Sequence, residues 1–208
     1  MLNKSLIVIA VSAALSAAAI TDSAAHGPMA FDPIAGSAYG LEADPSIATM
    51  PWVIPEGFSQ RIVSDETDLN IYTGSDLNDM NTVNETKKRA GRYLYRTHEV
   101  RPGNDIRIDG GTGGSVSVVD LKTGVAKEIA ARADWEALDG LVWTPWHTLL
   151  FAEETITSTR PDPDVPQATS GLLYEIKLMK KDPTTAASVT VRPMLGSLSH
   201  EEIGRAHV

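Results

Sequence analysis

The sequence predicts a mainly β protein. Short segments of strand composition, each bounded by Gly, Pro, Asp or Asn, recur from about residue 58 onward. Helical periodicity is nearly absent, with Asp134 to Leu138 offering a single helical turn. A strand, turn, strand pattern occurs twice, its starts 57 residues apart: Ser115-Val-Ser-Val-Val-Asp-Leu-Lys-Thr-Gly-Val-Ala-Lys-Glu-Ile, then Leu172-Leu-Tyr-Glu-Ile-Lys-Leu with Val189-Thr-Val-Arg.

The chain opens with one cation, Lys4, and an unbroken run from Leu6 to Ile20 made of Leu, Ile, Val, Ala and two serines. As a helix that run rises roughly 22 Å, short of the ~30 Å hydrocarbon core a membrane span must cross. A buried amphipathic helix would carry polar positions at helical spacing, which this run lacks. Residues 1–25 therefore read as a signal peptide with its cleavage after Ala25, where Ser23, Ala24 and Ala25 supply small residues; Ala17 to Ala19 could also serve. The expected destination is periplasmic or secreted, with no stable membrane anchor.

Removing 25 of the 208 residues leaves 183, and because Lys4 and Asp22 cancel, the net charge stays at −9. That acidity argues against a nucleic-acid partner, since phosphate backbones are bound by basic surfaces. It suits carboxylate-rich calcium sites and a plain solvated surface equally well. There is no cysteine, so an exported chain of this kind is held by its core and not by disulfides.

Residues 26–57 are rich in Pro, Gly, Ala and Asp and read as an extended lead-in segment. Strands are expected at Phe58 to Ser64, Tyr93 to Thr97, Ser115 to Leu121, Val125 to Ala130, Leu149 to Ala152, Leu172 to Leu178 and Val189 to Met194. Leu141-Val-Trp and Leu149-Leu-Phe-Ala form a plausible inner pair. The 57-residue spacing is near the size of a four-stranded propeller blade with long loops, although any antiparallel hairpin shares the pattern. At ~40 to 60 residues per blade, residues 58–208 make an incomplete β-propeller of about three blades.

Three acidic pairs follow apolar runs: His98-Glu99, Glu153-Glu154 and His200-Glu201-Glu202. At the same end of successive blades, carboxylates converge toward a central axis and can share a hard cation such as Ca²⁺, which then recruits phosphate that the carboxylates alone would repel. A solvated charged strand end is the other reading of any one pair.

These residues resemble a family. Gly91-Arg-Tyr-Leu-Tyr-Arg-Thr-His-Glu is similar to the strand and Asn-His-Glu element of PhoX-type alkaline phosphatases. Thr144-Pro-Trp-His-Thr-Leu-Leu-Phe-Ala-Glu-Glu is similar to their Thr-Pro-Trp-Gly-Thr…Cys-Glu-Glu element, and Leu195-Gly-Ser-Leu-Ser-His-Glu to their Gly-Arg-Phe-x-His-Glu element. The resemblance runs from about residue 55 to the end of the sequence, matching the family's N-terminal portion. It implies a six-bladed propeller, hydrolysis of phosphate monoesters outside the cytoplasm and a central cluster of calcium and iron.

Carried over by position, the resemblance makes Glu99, Glu153, Glu154 and Glu201 metal ligands. His98 and His200 become further ligands, or hydrogen-bond neighbouring strands. Where the family has a cysteine thiolate for iron this chain has Ala152, which ligates nothing, so calcium is the expected cation and iron is not. His147 stands where the family has glycine, and the leader lacks the family's twin arginines. The expected activity is that of a phosphoric monoester hydrolase acting on a small phosphorylated substrate. A non-catalytic, calcium-stabilised binding module and a lactonase-type propeller hydrolase are the alternatives.

The remaining motifs carry blander readings. Asp109-Gly-Gly-Thr-Gly-Gly lacks the lysine of a phosphate-cradling loop and leads into a strand, so it reads as a flexible strand entry. Arg160-Pro-Asp-Pro-Asp-Val-Pro reads as an exposed linker. Trp135, Trp143 and Trp146 read as core and inter-blade packing, and Asn84-Glu-Thr86 matches a glycosylation sequon.

Overall fold

In the computed structural model of the chain, residues 77–101, 113–155 and 161–201 are described continuously, together with 59, 61–64, 68–69, 71, 107–108 and 111. The expected signal peptide and lead-in segment, 1–57, lie outside the described residues. So does part of the strand expected at Phe58 to Ser64, whose described residues carry only an isolated bridge at Ile62. The compact unit beginning at Ser64 holds all of the sheet; the other unit, Ile7–Val63, lies almost wholly outside the described residues.

The fold is mainly β. β1 (Leu77–Val83), β2 (Tyr93–Glu99), β3 (Ser115–Asp120) and β4 (Val125–Ala131) form one four-stranded antiparallel sheet. β5 (Leu138–Trp143), β6 (Thr148–Glu153), β7 (Leu173–Met179) and β8 (Asp182–Val191) form a second. Each is a meander in which neighbours in sequence are neighbours in space. The described residues thus make two four-stranded sheets against an expectation of about three blades. They contain no α-helix; a 3₁₀ turn runs over Pro193–Leu195. The helical turn expected over Asp134 to Leu138 is a bend that feeds β5, and the two look-alike stretches are the outer hairpins of the two sheets, β3–β4 and β7–β8.

Alternation sets the core. Tyr93 and Tyr95 on β2 share a face with Val116 and Val118 on β3, and Leu149 and Phe151 on β6 share one with Tyr174 and Ile176 on β7; all belong to one buried cluster. Trp143 stacks on Tyr95, with ring centroids 5.9 Å apart, and Trp135 meets Phe151 edge-on at 4.9 Å. Each large apolar side chain so buried contributes about 1.5–3 kcal/mol, which is how strands this short hold without disulfides. Polar bonds fix the sheets' relative setting. Trp143 N donates to Thr82 Oγ1 at 3.2 Å, and Tyr95 OH to the Pro183 carbonyl at 3.1 Å.

On its other face the first sheet buries Leu94, Arg96 and His98. Arg96 donates from Nε to Ser117 Oγ at 3.2 Å and from Nη1 to Ser64 Oγ at 3.1 Å. The Gly-rich entry to β3 is a tight crossing. Gly113 has φ +90°, and a Cβ there would sit 2.3 Å from the Arg132 carbonyl oxygen. All eight strands run between two ends, so one end of the sheets collects the start of β1 and β5 and the finish of β2 and β6. The β1–β2, β5–β6 and β7–β8 turns gather at the other.

Candidate cation site

The first of these ends carries a carboxylate cluster assembled from both sheets. Asp79 of β1, Glu99 of β2 and Glu154, just past β6, each present one carboxylate oxygen, and the three oxygens lie within 4.8 Å of one another. Glu99 is brought there by strand alternation: it continues the face of Tyr93 and Tyr95, while His98 points the opposite way. Asp79 lies where the β1–β2 register shifts between Asn78 and Asn81, and Asp139 where the β5–β6 register shifts between Leu138 and Leu141. Irregularities of this kind re-aim side chains, and here each opening strand has one at its acidic residue.

Asp139 is a further carboxylate near enough to feel the charges of this cluster. It is only 3% exposed, and its buried Oδ1 has no hydrogen-bond partner among the described residues. Burial pushes its carboxyl up to about 7, and the fields of Asp79, Glu154, Glu201 and Glu99 push the same way. Burial likewise raises Asp79, helped by Glu154 and Glu201, and it raises Glu99 against the lowering influence of Arg101. Like charges this close resist ionising together unless a cation joins them. One cation is already at hand: Arg101 pairs with Glu99 and lies 3.4 Å from Glu154 Oε2.

The residues expected from sequence fall into separate places. Glu99 and Glu154 are brought together. Glu201 reaches the rim, where its carbonyl accepts a bond from Gly140 N at 3.2 Å and its charge is felt by Asp79 and Asp139. Glu153 is not part of the cluster. Its side chain is 1% exposed and turned into the core, where Oε1 accepts from Glu136 N at 3.0 Å and Oε2 from Leu172 N at 3.2 Å. His98 is fully buried, with Nε2 at 2.7 Å from Ser117 Oγ. His200 follows the 3₁₀ turn and not a strand; its backbone N bonds Glu153 O at 3.1 Å, and burial lowers its pKa. Glu202 lies outside the described residues.

Sequence reasoning missed Asp79 and Asp139. Leu77-Asn-Asp-Met-Asn-Thr-Val is too polar to read as a strand, and Asp139-Gly140 reads as a turn. It also took the 160–166 loop for an exposed linker, yet Asp162 is 2% exposed. Asp162 accepts from Tyr174 OH at 2.8 Å and Arg132 Nη2 at 2.9 Å, and caps its own turn through Asp164 N and Val165 N. Asn84 of the sequon is consumed in the β1–β2 turn, where its Nδ2 donates to Arg89 O at 2.6 Å and its Oδ1 accepts from Tyr93 N.

Fold and site together define a mainly β protein whose two sheets bring an acidic cluster, able to hold a cation, to one end. Comparison with protein-family models, with curated proteins and with solved structures returns no match to the chain.

Proposed function

We propose that the acidic cluster is a calcium site and that the protein is an exported, metal-dependent phosphomonoester hydrolase resembling PhoX-type alkaline phosphatases. Its two sheets are then successive blades of a β-propeller. The observation that carries this reading is the meeting of Glu99 and Glu154. They come from different sheets, were singled out by separate sequence elements, and have carboxylate oxygens within 4.8 Å of each other and of Asp79. Oxygen donors alone, from three converging carboxylates, suit a hard cation such as Ca²⁺.

Asp79, Glu99 and Glu154 would hold the ion, with Asp139 and Glu201 adding their charge nearby. A bound calcium supplies Lewis-acid polarisation of a phosphoryl oxygen. Arg101 is placed to take a second phosphate oxygen, because a guanidinium already balanced between two carboxylates can turn one of its donors outward. A bound cation would favour the ionised form of the buried Asp139.

The test is hydrolysis of p-nitrophenyl phosphate and of a lactone by the full chain, each with added Ca²⁺ and then with chelator. Calcium-dependent release of p-nitrophenol, abolished by chelator and in Glu154→Gln, is expected. A chain that binds no calcium by calorimetry would overturn both the site and the activity. Ala152, buried on β6 beside the acidic pair, favours a second reading as a calcium-stabilised binding module without chemistry. In that case calcium raises Tm while neither ester is cleaved.

A further inference from the structure

The opposite end of the sheets carries the reverse charge. The β1–β2 loop, the β5–β6 turn and the β7–β8 hairpin enclose a groove of about 560 Å³, within the range of small-molecule sites. Lys87, Lys88 and Arg89 line it from the first of these, and Lys177, Lys180 and Lys181 from the last. No carboxylate is among the described residues that line it. Three acidic groups lie close in sequence to those cations: Asp182 accepts from Thr184 and Thr185, Glu175 pairs with Arg192 and accepts from Trp146 of the groove, and Glu85 stands between Asn84 and Thr86. In a chain of net charge −9, six cations around one cavity make a local field opposite in sign to the average.

The groove also has an aromatic wall. Trp146 is 60% exposed, unusual for so large an apolar ring, and its Nε1 donates to Glu175 Oε1 at 2.7 Å, which fixes the indole in place. His147 is held at φ +71°, a left-handed conformation that costs a non-glycine residue energy. Its Nδ1 lies 2.8 Å from Thr86 Oγ1, which also accepts from Trp143 Nε1 at 3.2 Å. The turn therefore presents an imidazole and an indole to the cavity in a fixed arrangement, where a glycine would leave it open.

We infer that this groove binds a small ligand carrying phosphate groups and a planar ring, of the nucleoside-phosphate class. The lysines and Arg89 take the phosphates, and Trp146 supplies a stacking face. The site is separate from the acidic cluster and does not depend on the hydrolase reading.

Calorimetry on the full chain, in chelator so that no metal at the far end can recruit phosphate, tests it with ADP, pyrophosphate and adenosine as probes. ADP is expected to bind more tightly than pyrophosphate, and adenosine most weakly, with affinity falling as salt rises. The double reversal Lys180→Glu/Lys181→Glu, on an exposed two-residue turn, should weaken both phosphate probes by about tenfold or more. Trp146→Ala should weaken ADP by about tenfold while leaving pyrophosphate nearly unchanged. Failure of ADP to bind in the millimolar range, loss of binding in chelator, or affinity untouched by the double reversal would each overturn the inference.

Discussion

Glu153 and Glu154 are adjacent and chemically identical, yet one braces the core and the other faces a candidate ligand. Glu153 ties together the segments entering β5 and β7 by accepting from Glu136 N and Leu172 N. Glu153→Ala leaves both donors unpaired in the interior, at about 1–3 kcal/mol for each group. The expected outcome is a large drop in Tm, read by thermal melts, while Glu153→Gln keeps calcium affinity near the parent value in calorimetry. A matching loss of calcium affinity in Glu153→Gln would make it a ligand after all. The two most strongly raised carboxyls also set a pH signature. Asp139 moves from 3.8 up to about 7, and Glu153 from 4.5 up to about 7, burial being the largest cause for both. A folded-state pKa above the unfolded one stabilises at low pH and loses that contribution as pH rises through the folded value. Stability in chelator should therefore decline between about pH 4 and pH 8, and calcium affinity should climb over the same window as Asp139 releases its proton. A flat stability profile in chelator would contradict the burial of these groups. The acidic pairs were legible in sequence, but which member turned inward was not, because that depends on where β6 ends.

At the level of single elements, strand composition located β2, β3, β4, β6 and β7 nearly to the residue, since each carries an apolar run or alternation of its own. β1 has almost none; its Asn- and Asp-rich segment is a strand because β2 pairs with it. β8 was expected only at its apolar end, Val189 to Met194, whereas it spans Asp182–Val191. It tolerates Pro183 because it is an edge strand of the second sheet, where one missing N–H donor costs little. The glycine pairs before β3 read as flexibility, but Gly113 is a close-packed crossing at positive φ. Gly113→Ala should destabilise the protein by more than about 1 kcal/mol, because the new Cβ meets backbone and the conformation disfavours L side chains. Gly124, also at positive φ in the β3–β4 turn, has open space around its Cα, so Gly124→Ala should cost less. Thermal melts of the two variants side by side read the difference, and equal losses would mean that strain and not contact governs both.

Across the whole sheet pair, charge is the property that sequence totals hid. A net charge of −9 argued against a nucleic-acid partner, but it averages a lysine-lined groove with a carboxylate cluster at the other end of the strands. The topology that separates them was only partly legible: the repeated hairpin hinted at successive four-stranded blades, while the packing of β1 against β5 is a tertiary contact that no local pattern announces. Separating opposite charges along the strand direction gives this part of the molecule a permanent dipole moment. Near an anionic wall or membrane surface it would be turned lysines first, before any contact forms. The carboxylates would then face the open medium, where divalent ions arrive.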